Sequence, residues 1–385
     1  MPSLNAMQKK CKHKTESARK LFLLNEDELC MYIGLNAPED ILKWLEKDCE
    51  ELKITKRVFS CVLEIALRYI IRTLPRSVNP TGEMYSTMED VDSKHPGDLI
   101  ANKFLRLLVC MVKSLDRDVV AELFPRKVIL KLVGMIRSDN VEERQHVFSL
   151  LINISRHPEC LSTTFLGLSN ELINFIESSR PHVGIEEVLG IVSAFLSRRA
   201  IPEEDVVIFH HQVVLRMARI RFCGESKEVP VVMKIISRNY PKTIPLTIRH
   251  FKKVFMGTWS STRVTIVHVI GEILRTINDE MYQGLESEIC EVISMSFDSD
   301  HHLVVEEVAE MLALNRWVVS RHAETFVPKV FESIYRASKR FWRVEGVNKI
   351  LRNLSTILDV DCRLFEKCLK LYNMKRWRDK WTRDR

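Results

Sequence analysis

Pro125-Arg126-Lys127-Val128-Ile129-Leu130-Lys131-Leu132-Val133-Gly134-Met135-Ile136-Arg137-Ser138-Asp139-Asn140-Val141-Glu142-Glu143-Arg144-Gln145-His146-Val147-Phe148-Ser149-Leu150-Leu151-Ile152-Asn153-Ile154-Ser155 reads as two helices and the turn between them. Val128, Leu132, Val133 and Ile136 recur at the spacing that puts them on one helix face; Val147, Leu150, Leu151 and Ile154 do the same in the second half. Pro125 suits the first turn of a helix, where its missing N–H costs nothing. Ser138-Asp139-Asn140 supplies the polar turn.

A weaker echo lies 161 residues on, where Ser299-Asp300 replaces Ser138-Asp139 and Val308, Met311 and Leu312 replace Val147, Leu150 and Leu151. Helix pairs repeating at a period of about 40 residues are the signature of HEAT or armadillo solenoids. One pair cannot bury both its apolar faces, so pairs must stack. The expected fold is all-α, a curved α-α solenoid of HEAT-like repeats, with a globular helical bundle as the alternative.

The rest of the chain agrees. Helical periodicity links Val58, Val62, Ile65, Ala66, Tyr69 and Ile70; Phe104, Leu105, Leu108 and Val112; Val188, Ile191, Val192, Phe195 and Leu196; and Ile350, Leu351, Leu354 and Leu358. Pro38, Pro75, Pro125, Pro158, Pro181, Pro202, Pro230 and Pro328 are expected at helix starts or in loops, since proline inside a helix costs about 3 kcal/mol. Pro75 to Gly97, with three prolines and the acidic run Glu89-Asp90-Val91-Asp92, is too long for an ordinary connection. The predicted organisation is a basic tail over 1–19, one solenoid over 20–373 interrupted by an acidic loop at 75–97, and a basic tail over 374–385.

The net charge of +7 sits at the ends: residues 1–20 and 370–385 each sum to +5, which leaves −3 between them. A nucleic-acid groove needs a basic stripe on the folded surface, so this distribution argues against one. The ten cysteines are scattered, without CxxC or zinc-ligand spacing, as in a reducing compartment. Leu21-Phe22-Leu23-Leu24 is too short for a signal core and no span of about 18 apolar residues occurs. A soluble protein of the cytoplasm or nucleus is expected.

Catalytic signatures are missing: no GxxxxGK[ST], strand-borne GxGxxG, HExxH or GxSxG is present. His210-His211 and His301-His302 are sequence neighbours that point to different helix faces, a poor arrangement for chelation. Glu186-Glu187, Glu203-Glu204-Asp205 and Glu306-Glu307 suit first turns or exposed faces. Trp377 and Trp381, among Lys and Arg, form a basic-aromatic patch or dock the terminal helix. No catalytic residue, metal or cofactor is expected. By residues alone, this is a solenoid binding protein.

Longer motifs name a family. Arg72-Thr73-Leu74-Pro75-Arg76-Ser77-Val78-Asn79-Pro80-Thr81-Gly82 resembles a stretch of the B-prime family of protein phosphatase 2A regulatory subunits that ends a helix and opens an acidic loop, with Glu89 and Asp90 where that loop falls. In the same order come Ser138-Asp139-Asn140-Val141-Glu142-Glu143-Arg144, Gly184-Ile185-Glu186-Glu187-Val188-Leu189, Ala200-Ile201-Pro202, the run from Val327 to Trp342, and Leu364-Phe365-Glu366-Lys367-Cys368. The resemblance spans residues 20–375; between Cys223 and Ile277 the family is longer and the register is open.

This resemblance implies about eight HEAT-like repeats that dock on a helical-repeat scaffold subunit, touch the catalytic subunit and direct the phosphatase to phosphoprotein substrates. Asn79, Pro80, Thr81, Gly82, Glu89, Asp90, Ser138, Asp139, Glu142, Glu143 and Arg144 are the implied holoenzyme contacts. The family reads short linear motifs in a groove whose basic rim aligns with Ile152-Asn153-Ile154-Ser155, where the charges are missing; Ile191 and Phe195 are the implied apolar floor, and Arg198 and Arg199 stand one or two turns away. Losing two or three charge-assisted hydrogen bonds, each worth about 1.5–3 kcal/mol, weakens that motif. The tryptophan that follows the acidic loop is also absent near Asp98–Ile100. Rival readings are a transport receptor or nucleic-acid-binding solenoid, and an enzyme with a site between repeats.

Overall fold

In the computed structural model, which describes residues 55–74, 96–178 and 183–383, every regular element is a helix. The elements are α1 (Lys56–Ile70), α2 (Pro96–Ser114), α3 (Arg117–Leu123), α4 (Arg126–Met135), α5 (Val141–Ile154), α6 (Pro158–Ser178) and α7 (Ile185–Ser197). Next come α8 (Glu203–Phe209), α9 (Glu228–Asn239), α10 (Ile244–Val254), α11 (Ser260–Leu274) and α12 (Asp279–Phe297). Last are α13 (His302–Leu314), α14 (Trp317–Arg340), α15 (Val344–Val360) and α16 (Cys362–Arg383). The chain divides into two compact units, residues 1–192 and 193–385. The N-terminal tail and the acidic loop residues Asn79, Pro80, Thr81, Gly82, Glu89 and Asp90 lie outside the described residues.

Within the first unit, caps and burial explain the helices. The Asn140 side chain accepts from Glu143 N at 3.0 Å and so caps α5. Glu142 and Glu143 in the first turn complement the helix dipole. Leu132, Val133 and Ile136 of the opening pair are buried, as are Val147, Leu150, Leu151 and Ile154, while Val128 is half-buried. Burying each such side chain stabilises by about 1.5–3 kcal/mol, which decides the fold over local preference. Gly184, just before α7, has φ 80°, and a Cβ there would meet the Ile136 carbonyl at 2.1 Å. Only glycine fits.

The second unit shows the repeat most clearly. Helices α9, α11, α13 and α15 stack one on the next in one layer, and α10, α12, α14 and α16 stack in the other. The links between neighbours recur at nearly constant separation: Asn239 Nδ2 donates to Leu196 O, Asn315 Nδ2 to Gly271 O and Asn353 Nδ2 to Ala309 O, spanning 43, 44 and 44 residues. Ion pairs follow suit, with Lys252–Glu291 at 2.7 Å, Lys329–Glu286 at 3.1 Å and Lys375–Glu332 at 2.9 Å.

Three expectations need correction. Pro328 lies inside α14 rather than at its start. The helix kinks at His322 (φ −124°, ψ 26°), six residues upstream, and only its second half must accommodate the missing proline N–H. Leu351 and Leu358 are exposed, because α15 buries Ile350, Leu354 and Ile357 against its neighbours and turns its outer face to solvent. Finally, α16 runs to Arg383 through most of the segment expected as a tail; Lys375 ties it to Glu332 of α14.

Candidate functional site

The turn between α4 and α5 is built by its own side chains. Ser138 Oγ accepts from Asn140 N at 3.2 Å and also donates to Glu143. The fully buried Glu143 carboxylate receives two bonds from Arg72, Nη1 to Oε1 at 2.6 Å and Nη2 to Oε2 at 2.9 Å. Arg144 Nη1 donates to the carbonyls of Ser138 and Asp139, at 2.9 and 3.2 Å, while its Nε bonds Glu187 at 2.7 Å. Ser138, Glu143 and Arg144, read from sequence as contact residues, are therefore internal struts of the turn. Glu142 is exposed and Asp139 half-buried, so these two keep surface for a partner.

The residues expected in the substrate-motif groove fare differently. Ile191 and Phe195 are buried to within 1% and cannot floor an open groove; they are core. Asn153 is buried and donates to Ser149 O at 2.7 Å, and Ser155 Oγ bonds Thr164 Oγ1 at 3.1 Å. Ile152 is half-buried. Arg198 and Arg199 are exposed at the end of α7. Arg199 adopts φ 51°, and Ala200 N bonds Phe195 O while Arg199 N bonds Leu196 O, the Schellman arrangement in which glycine is usual.

Sequence reasoning missed the most exposed feature. In the second unit the turns that lead from the α10, α12, α14 layer into α11, α13 and α15 share one edge. Met256 and Trp259 project from the first turn, Leu303 follows the second, and Trp342 and Val344 flank the third at 77% and 75% exposure. Arg343 lies 6.0 Å from the centroid of the Trp342 ring. Aromatic and aliphatic side chains repeated at the breaks between helices, off the buried periodicity, were the available signal.

The remaining candidates resolve into ordinary roles. His210 is buried, its Nε2 2.8 Å from Thr247 Oγ1, while His211 is exposed. The His301 and His302 rings stack at 5.2 Å. The acidic pairs meet cations: Glu187 meets Arg144, Glu203 meets Lys242 at 3.2 Å, and Glu306 meets Arg343 at 3.0 Å. Helix α16 docks through Phe365 on Phe331 and Tyr372 on Tyr335, and leaves Trp377 exposed beside Asn373, Met374 and Arg378. Burial raises the thiols of Cys223 and Cys290 to about 12, so both are inert. Among the described residues no group of three His, Cys, Asp or Glu side chains is placed to hold a metal, and no helix is long and apolar enough to cross a membrane.

Comparison with known proteins gives this arrangement a context. The family described as protein phosphatase 2A regulatory B subunit (B56 family) matches residues 36–384. The human 56 kDa regulatory subunit alpha isoform of serine/threonine-protein phosphatase 2A is 23% identical over 342 residues, 85% of this chain and 68% of that one. The human delta isoform is 22% identical over 84% of this chain and 55% of its own length. An engineered protein of known crystal structure aligns with a TM-score of 0.40 at 13% identity, covering 94% of this chain and 88% of that one.

Proposed function

Because the chain belongs to the B56 family of protein phosphatase 2A regulatory B subunits and is a non-catalytic regulatory subunit of that phosphatase, we propose that it docks on the scaffold and catalytic subunits and directs them to phosphoprotein substrates in the cytoplasm or nucleus. The observation that carries this reading is the turn edge of the second unit, where Met256, Trp259, Leu303, Trp342 and Val344 stay exposed. Large exposed apolar side chains gathered along one edge mark a partner surface, and tryptophan is enriched among residues that dominate binding energy. The burial of Ile191 and Phe195 supports a second element: the family's usual substrate motif binds weakly here, and substrates are chosen by other surfaces.

The test is reconstitution of the full chain with scaffold and catalytic subunits, read by gel filtration and titration. A ternary complex is expected, and Trp342→Glu with Val344→Glu should weaken it at least tenfold while leaving the melting curve unchanged. Wild-type assembly that ignores the double substitution would move the docking surface elsewhere; failure of the wild type to assemble overturns the reading.

A further inference from the structure

The last helix has two opposite faces, and only one of them is covered. Phe365, Cys368, Tyr372 and Lys375 recur at i, i+3, i+7 and i+10 and hold α16 against α14. Phe365 meets Phe331 at 5.1 Å between ring centroids, Tyr372 meets Tyr335 at 5.0 Å, and Lys375 bonds Glu332. Arg363, Lys367, Lys370, Met374 and Trp377 fall at i, i+4, i+7, i+11 and i+14, a second stripe on the side turned away from α14. All five are exposed, Met374 to 58% and Trp377 to 74%, and Leu371 on the flank of the stripe is exposed too.

This outward face is an unusual end for a stack of helix pairs, whose terminal repeat normally turns a polar surface to water. Here Asn373, Met374, Trp377 and Arg378 line a shallow apolar recess. Every lining residue belongs to α16, so no second element walls the recess into a groove. The charges around it share one sign. Residues 363–378 hold six basic side chains against one carboxylate, Glu366, which lies off the stripe. Lys375, on the docked side, has Glu332, whereas Arg363, Lys367 and Lys370 meet no carboxylate among the described residues.

We propose that this face of α16 is a peripheral membrane-binding surface that settles on a leaflet rich in anionic lipid. It uses none of the residues assigned above to the phosphatase partners. The stripe covers about 21 Å of helix. Without a second wall it offers a bound peptide nothing to lie between, whereas a bilayer is itself broad, anionic at the surface and apolar beneath. Arg363, Lys367 and Lys370 pair with head groups while their aliphatic stems cross the boundary. Trp377 suits that boundary, its ring at the hydrocarbon margin and its N–H among the head groups, and Met374 and Leu371 enter beside it. A nucleic-acid strand would use the cations but needs successive rings to stack its bases, and the described stripe offers one.

The experiment sediments the full chain with large vesicles of phosphatidylcholine alone, or of phosphatidylcholine and phosphatidylserine in a three-to-one ratio. Binding to the phosphatidylserine vesicles should be at least tenfold tighter, and should weaken at least fivefold when sodium chloride rises from one tenth to one half molar. Lys367→Glu with Lys370→Glu, and separately Met374→Ser with Trp377→Ser, should each cost at least fivefold in affinity. Neither pair should move the melting curve, since all four side chains are exposed. Equal affinity for the two vesicles overturns the proposal. Binding that survives both double substitutions also overturns it, and assigns the attraction to the basic residues 1–20. A glutamate-rich peptide or a twelve-nucleotide strand that displaces the vesicles, and that the same variants fail to bind, overturns it in favour of a protein or a nucleic acid.

Discussion

The guanidinium of Arg72 grips both carboxylate oxygens of Glu143, at 2.6 and 2.9 Å, across 71 residues of sequence. The Arg72 side chain is a quarter exposed and Glu143 wholly buried, so the arginine is what allows a charge to sit under the turn. Removing it leaves a buried carboxylate with only Ser138 and its neighbours for company. Arg72→Ala should destabilise the chain by about 3–5 kcal/mol. Adding Glu143→Gln should recover part of the loss, because the orphaned charge goes with it. Urea unfolding of the two variants decides the matter: a loss under 1 kcal/mol for Arg72→Ala, or no recovery in the pair, would show that the bridge is peripheral.

Two residues with positive φ make opposite predictions. Gly184→Ala pushes a Cβ to 2.1 Å from the Ile136 carbonyl at φ 80°, and should cost more than about 2 kcal/mol from strain and clash together. Arg199, at φ 51°, already bears the left-handed penalty of a side chain, so Arg199→Gly should stabilise by about 1 kcal/mol. Thermal melts of the two variants moving in the same direction would contradict the account.

Much of this was legible in the residues. The pair around Ser138 and its echo at Ser299 gave the helix-turn-helix unit, and the two turns share a detail: Ser138 Oγ and Ser299 Oγ each accept from the N–H two residues on. Family motifs gave the membership that comparison then established. The site was less legible, for a physical reason. Spacing reports which residues share a face, but not whether a charge on that face meets a partner far along the chain, as Glu143 does with Arg72, 71 residues away, or Arg144 with Glu187, 43 residues away. Nor does it separate a groove floor from a core, and Ile191 and Phe195 fell on the wrong side of that line. Trp342 was in view as part of a motif, yet only the folded chain shows how far it projects.

The asparagine links predict how the second unit is tied together. Asn353 Nδ2 donates to Ala309 O at 2.8 Å in the preceding repeat and to Lys349 O at 3.1 Å in its own helix. Asn353→Ala should cost about 1–2 kcal/mol for the lost bond. Asn353→Asp should cost more, since a carboxylate among carbonyls can donate nothing and repels both. Denaturation midpoints that place the aspartate variant above the alanine one would refute the donor role.

Protonation of His210 supplies the last prediction. Thr247 Oγ1 donates its hydrogen to Thr243 O at 2.9 Å, so toward His210 it can only accept, and the imidazole must carry its proton on Nε2. That leaves Nδ1 bare, buried and without a protein partner. A second proton would put a charge there with no acceptor. Burial first, then His211 and His250, lowers the His210 pKa to about 4 from its ordinary 6.5. The sign follows: above 6.5 both folded and unfolded states hold a neutral ring, and as pH falls from 6.5 toward 4 only the unfolded chain takes up the proton. Stability from this residue is full above 6.5 and is lost through that window, by roughly 3 kcal/mol in all. His250, lowered in the same direction, adds to the slope. His210→Gln keeps a donor for Thr247 and removes the titration, so its urea midpoint should fall less between pH 7 and pH 4.5 than that of the wild type. Parallel curves for the two proteins would place the acid sensitivity elsewhere.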